Sequence, residues 1–156
     1  MAKARDIPEL AQAGSFREAA AITVRVRAEE VFEHSAGVLD VSDIERVHAM
    51  RVATRRLRAV MEIFAPAYPR KQHREILKEV KALADALGER RDRDVAIESM
   101  TKIGLALTVT DRRGIDHLVA ELRDEQSGAN AALAAALQAL EENDLRGRLR
   151  ALAASA

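Results

Sequence analysis

The sequence predicts an all-α protein, an antiparallel bundle of four to six helices with a basic face. Three observations point there. Alanine and leucine recur throughout, β-branched runs are few, and aromatic residues make up only 3% of the chain. Apolar residues follow the helical spacing in several long stretches. Short turn signals separate those stretches, as in bundles whose neighbouring helices run antiparallel.

A first helix is expected from Ser15 as N-cap, with Glu18 completing a capping box, to about Leu39. Val41-Ser42-Asp43 makes the next turn, and Ser42 or Asp43 caps a second helix that ends before Pro66. Ala65-Pro66-Ala67-Tyr68-Pro69 breaks the chain, because proline lacks a donor and clashes with the preceding turn. A third helix is expected from about Arg70 to Leu87, with Gly88 as its C′ stop. A fourth starts near Asp92 and fades between Gly104 and Thr110. Thr110 or Asp111 then caps a long fifth helix containing AALAAALQAL. Asn143-Asp144 interrupts it, and a short last helix carries Leu145, Leu149 and Leu152.

No linker or internal repeat divides the 156 residues, so one domain over 1–156 is expected, with residues 1–14 as a flexible N-terminal arm. The absence of cysteine excludes a disulfide framework and a thiolate metal site and suits a reducing cytoplasm. MAKARDIPEL has no apolar signal core, and no run approaches the ~18 apolar residues of a membrane span.

The formal net charge of zero hides an asymmetry. Residues 46–93 carry thirteen Lys/Arg against six Asp/Glu, while residues 1–45 carry five against nine and residues 94–156 seven against ten. A local anion site is expected rather than a generally polycationic surface. Arginine outnumbers lysine twenty to five, and its planar fork suits phosphate or carboxylate oxygens.

The centre of that basic third is VHAMRVATRRLR, residues 47–58, which has no acidic residue. At ~100° per residue, His48, Arg51, Arg55 and Arg58 share one ~80° stripe, with Arg56 off to the side. Ala53, Leu57, Val60 and Phe64 fall on the opposite side, as a helix buried on one face requires. Arg74, Lys78 and Lys81 share a face of the third helix, where Glu75 and Glu79 could pair with the lysines. In GERRDRDV, Arg90, Arg91 and Arg93 are expected beside the start of the fourth helix, whose free N–H groups and dipole favour anions. Asp92 reads as an N-cap or arginine-orienting carboxylate rather than a catalytic base, and Asp94 as a buried partner for an arginine of the second helix. His73 and His117 read as surface residues, and His34 has no evident role.

His48 joins the stripe as a further cation when protonated. A metal site is not expected, because HxxxH, HExxH and a carboxylate cluster beside His48 are all missing. Walker, GxSxG and GxGxxG signatures are missing too, so neither an enzyme nor a cofactor is expected.

VHAMRVATRRLRAVMEIF followed by ALGERRDRDV resembles the CHAD family, the conserved histidine α-helical domain. Its hallmarks are V-H-x-x-R-V-x-x-R-R-L-R and, some thirty residues later, L-G-x-x-R-D-x-D-V. The first matches His48, Arg51, Arg55, Arg56 and Arg58, and the second Arg91, Asp92 and Asp94; Arg74, Lys78, Lys81 and Arg90 belong to neither set. The resemblance implies a helical bundle that binds inorganic polyphosphate and localises to polyphosphate granules in the cytoplasm of bacteria or archaea.

Family members usually have two related halves. The second half's basic helix has no counterpart after Asp94, so the chain is expected to cover the first half only. The accompanying triphosphatase domain's ExExK is absent as well. A non-hydrolysing polyphosphate binder follows, with a homodimer completing a two-half site. The alternative is a nucleic-acid-binding module on the same face. One Tyr, three Phe and no Trp speak against it, because single strands are held by aromatic stacking.

Overall fold

A computed structural model describes residues 3–156. Five α-helices build it: α1 Phe16–Glu33, α2 Ile44–Ile63, α3 Arg70–Leu105, α4 Val109–Glu142 and α5 Leu145–Ala154. Two short 3₁₀ turns, Pro8–Gln12 and Ala65–Ala67, complete the described secondary structure, which contains no strand among these residues. The all-α class and the helical packing are as expected.

The start of α1 follows the capping-box chemistry. Ser15 Oγ accepts from Glu18 N–H, and the Glu18 carboxylate accepts from Gly14 N–H. The end differs: α1 stops at Glu33, six residues before Leu39. Gly37 adopts a left-handed φ of 70° in the turn that follows, which a continuing helix cannot include. Before α2, Asp40 organises the turn by accepting from both Ser42 N–H and Ser42 Oγ–H, while Asp43 stands at the N-cap without a side-chain cap bond.

The largest difference lies in the middle of the chain. The expected third and fourth helices are one helix of 36 residues, and Gly88 sits inside it. An interior glycine costs only ~1 kcal/mol relative to alanine. Buried Leu83 and Leu87 before it, and Arg90 and Asp94 after it, hold the helix on course. GERRDRDV therefore has no free helix N-terminus beside it. Thr108, rather than Thr110 or Asp111, caps α4 by accepting from Asp111 N–H.

The core joins Val24, Ala28 and Val31 of α1 with Val47, Met50, Ala53, Leu57 and Met61 of α2. Ile76, Val80, Leu83 and Leu87 of α3, Leu133 of α4 and Leu145, Leu149 and Leu152 of α5 close it. Ala53 and Leu57 are buried as expected, whereas Val60 and Phe64 are half-buried at its margin. In space α1 packs on α2 and α5, α2 on α3, and α3 on α4. At 36 residues, ~54 Å, α3 far outreaches α2 at 20 residues, ~30 Å. Past Asp94 it buries only Gly104, so its last turns and the first turns of α4 form a two-helix arm.

Described residues before α1 lie along that helix. Arg5 pairs with Glu33 at 2.6 Å, and Arg27 donates to the Arg5 carbonyl. His73 is a correction: it is buried, with Nε2 2.8 Å from the Met61 carbonyl oxygen and its ring stacked on Tyr68. Tyr68, pushed up to about 12 by burial, stays neutral there. His117 is exposed beside Glu121.

Candidate functional site

Placing Val47, Met50, Leu57 and Met61 in the core turns the arginine stripe of α2 toward the outer edge of the α2–α3 contact. A groove of about 460 Å³ runs there, lined by Arg51, Arg55 and Arg58 on one side and Ala84, Asp85, Gly88, Glu89 and Asp92 on the other. Small side chains leave the room: a Cβ at Gly88 would stand 3.8 Å from Arg51 Nε. Packing has changed the charge picture. α2 has no acid within its stripe, but α3 supplies acids across from it. The groove is therefore mixed in charge, three guanidinium groups facing three carboxylates.

None of the carboxylates closes on an arginine. Among the described residues, Arg51 and Arg55 make no ion pair or hydrogen bond, and Asp85, Glu89 and Asp92 make no ion pair. Arg58 differs. Its Nε donates to Glu62 Oε1 at 3.2 Å, and the same oxygen lies 3.0 Å from Lys81 Nζ. Lys81 and then Arg58 hold the Glu62 carboxyl below the usual range. Glu62 belonged to no expected site, because its second partner is on another helix.

Arg74 and Lys78 are exposed on α3. The pairing expected within that helix does not form: Glu79 pairs with Arg148 of α5 at 2.7 Å, and Lys81 with Glu62. His48 and Arg56 are half-buried, and neither lines the groove.

The two sequence elements meet in space at Arg51 and Gly88, across the groove between α2 and α3. The CHAD domain family matches residues 23–156. The chain belongs to the CHAD domain family. The match takes in α4 and α5 and runs to the last residue, rather than stopping at a first half. No curated protein and no solved structure matches the chain.

In this CHAD domain the second motif divides its labour. Arg90 is fully buried, with Nη2 3.1 Å from Asp94 Oδ1, and cannot reach a surface ligand. That contact lacks hydrogen-bond geometry, and the Arg90 nitrogens are otherwise unpartnered among the described residues. Asp94 Oδ1 also accepts from Gln126 of α4 at 2.6 Å. Asp94 is thus a buried partner, as expected, but of Arg90 on its own helix rather than of an α2 arginine. Arg91 donates to the Ile44 carbonyl at 3.2 Å and pairs with Glu45 at 3.5 Å, clamping the start of α2 to α3. Arg93 lies against Glu125 of α4. Asp92 alone of this group opens into the groove; it is mid-helix and so caps nothing.

No helix among the described residues is long and apolar enough to cross a membrane. No group of three or more His, Asp or Glu among them is placed to hold a metal ion.

Proposed function

We propose that this CHAD domain binds inorganic polyphosphate along the α2–α3 groove and does not hydrolyse it. One observation carries the reading: Arg51 and Arg55 line an open groove with their guanidinium forks unpaired among the described residues. Such forks suit the non-bridging oxygens of a chain that presents one negative charge per phosphate. Asp85, Glu89 and Asp92 would repel the polymer from the α3 wall and press it toward α2. Arg74 and Lys78 would extend the path along α3. Affinity would come from several contacts plus counterion release, and would fall steeply with salt as in nucleic-acid complexes.

Residence in the cytoplasm, at polyphosphate granules, belongs to the same proposal. So does pairing of two copies whose grooves line one channel, as an isologous dimer. Light scattering over a dilution series, with and without polymer, tests the pairing; a stable monomer throughout would dismiss it.

Binding itself is tested by gel retention with long-chain polyphosphate. Arg51→Ala and Arg55→Ala are each expected to weaken it by roughly 1–3 kcal/mol, the range for charge-assisted hydrogen bonds. Unchanged retention in both variants would remove the groove as the site. Preference for RNA or DNA at equal phosphate concentration would replace polyphosphate with nucleic acid as the ligand.

A further inference from the structure

At the end of the groove the Glu62 carboxylate already sits where an anion would. One oxygen, Oε1, faces Arg58 Nε at 3.2 Å and Lys81 Nζ at 3.0 Å, one cation from each wall. The three side chains are all more than two-fifths exposed, so the arrangement is open to exchange with a solvent-borne anion. Beyond it, Arg74 and Lys78 continue along α3, while Arg51 and Arg55 lie on the other side. Glu62 thus separates two groups of cations that would otherwise be continuous.

We infer that the space between Arg58 and Lys81 is a phosphate subsite that Glu62 occupies as an internal competitor. It rests on the polyphosphate-binding function proposed above. A phosphate unit entering the subsite displaces the Glu62 carboxylate, which swings toward solvent. It then uses the same two donors, and the polymer can cross from the α2 stripe to Arg74 and Lys78. Exposed ion pairs are weak, so exchange is permitted; the cost of breaking them still lowers the affinity of the native chain. Glu62 therefore sets how tightly, and over what length, the groove holds its polymer.

The test compares the native chain with Glu62→Gln and Glu98→Gln, using long-chain polyphosphate with a chelator near neutral pH. Glu98 is the control: it is an exposed α3 residue paired with Lys102 on the arm, so its substitution removes the same charge away from the groove. Glu62→Gln is expected to bind about tenfold more tightly, from two weak pairs no longer broken. Its dependence of log affinity on log salt should steepen by roughly one, since removing the carboxylate leaves one more uncompensated positive charge to meet the polymer. Glu98→Gln should stay within about twofold of native, a distant charge being screened.

Adding Lys81→Ala to Glu62→Gln should abolish the gain. Equal effects of Glu62→Gln and Glu98→Gln, weaker binding by Glu62→Gln, or a gain that survives loss of Lys81 would each overturn the subsite. Helical circular dichroism should match in all variants, so that a lost fold is not read as lost binding. A native chain that binds no polyphosphate would instead overturn the proposed function, and this inference with it.

Discussion

Arg51 and Arg90 belong to neighbouring helices, lie within a few turns of each other and have opposite fates. Arg51 stands over Gly88 in an open groove, unpaired among the described residues. Arg90 is fully buried beside Asp94, whose carboxylate also accepts from Gln126 of α4. The first can exchange water for a ligand's oxygens at little cost. The second paid its desolvation cost on folding and is tied to the register of α3 against α4. Two arginine-rich stretches thus place one guanidinium in an open groove and another in an internal fastener, and position relative to the neighbouring helix separates them.

The largest effect should come from breaking the fastener. Asp94→Ala leaves the Arg90 charge buried without its counter-ion and should cost about 3–5 kcal/mol. A urea midpoint close to native would mean that Arg90 escapes to water, and the contrast with Arg51 would disappear. Next, Arg51→Ala should change the urea midpoint by less than about 0.5 kcal/mol equivalent, as an unpaired surface residue does. The same variant should lose retention on polyphosphate. Destabilisation comparable to Asp94→Ala would show that Arg51 holds the helices together rather than serving a ligand.

Arg91 falls between the two, with its side chain mostly buried and its donors on the Ile44 carbonyl and Glu45. Arg91→Ala should cost about 1–2 kcal/mol by freeing the start of α2, without altering the salt dependence of binding. A shallower salt slope would move Arg91 into the ligand surface.

The smallest effect concerns pH. Arg150 and then Arg146 hold the Glu29 carboxyl below its ordinary range, so the folded state binds that proton less readily than the unfolded chain. The Glu29 contribution is therefore complete above the unfolded value of about 4.5 and is lost as pH falls through the lower folded value. Because the arginine partners are half-exposed, it should stay below about 1 kcal/mol. Thermal melts of native and Glu29→Gln should differ at pH 6 and converge toward pH 3, on the order of the carboxylate range. A gap that persists at the acid end would point to packing rather than charge.

Much of the helical framework was legible in the residues themselves. The capping box at Ser15 and Glu18, the break at Pro66 and Pro69 and the apolar side of α2 all express interactions within one or two turns. Gly88 misled because its stop signal is also local and weak, and long-range burial on both sides outweighs it. His73 misled for a related reason: its partner, the Met61 carbonyl, lies at the far side of the Pro66 turn.

The candidate site divides along the same line. By itself the sequence determined that residues 47–58 would be two-faced, with His48, Arg51, Arg55 and Arg58 opposite a core side. That follows from the 3.6-residue period, which needs no neighbour. It also carried both family elements in order. Only the tertiary structure decided that Asp85, Glu89 and Asp92 face those arginines, that Arg90 is buried while Arg51 is not, and that Glu62 bridges Arg58 and Lys81. Each of these depends on the register between two antiparallel helices, and that register is set by side chains interlocking across the whole core rather than by any stretch of sequence.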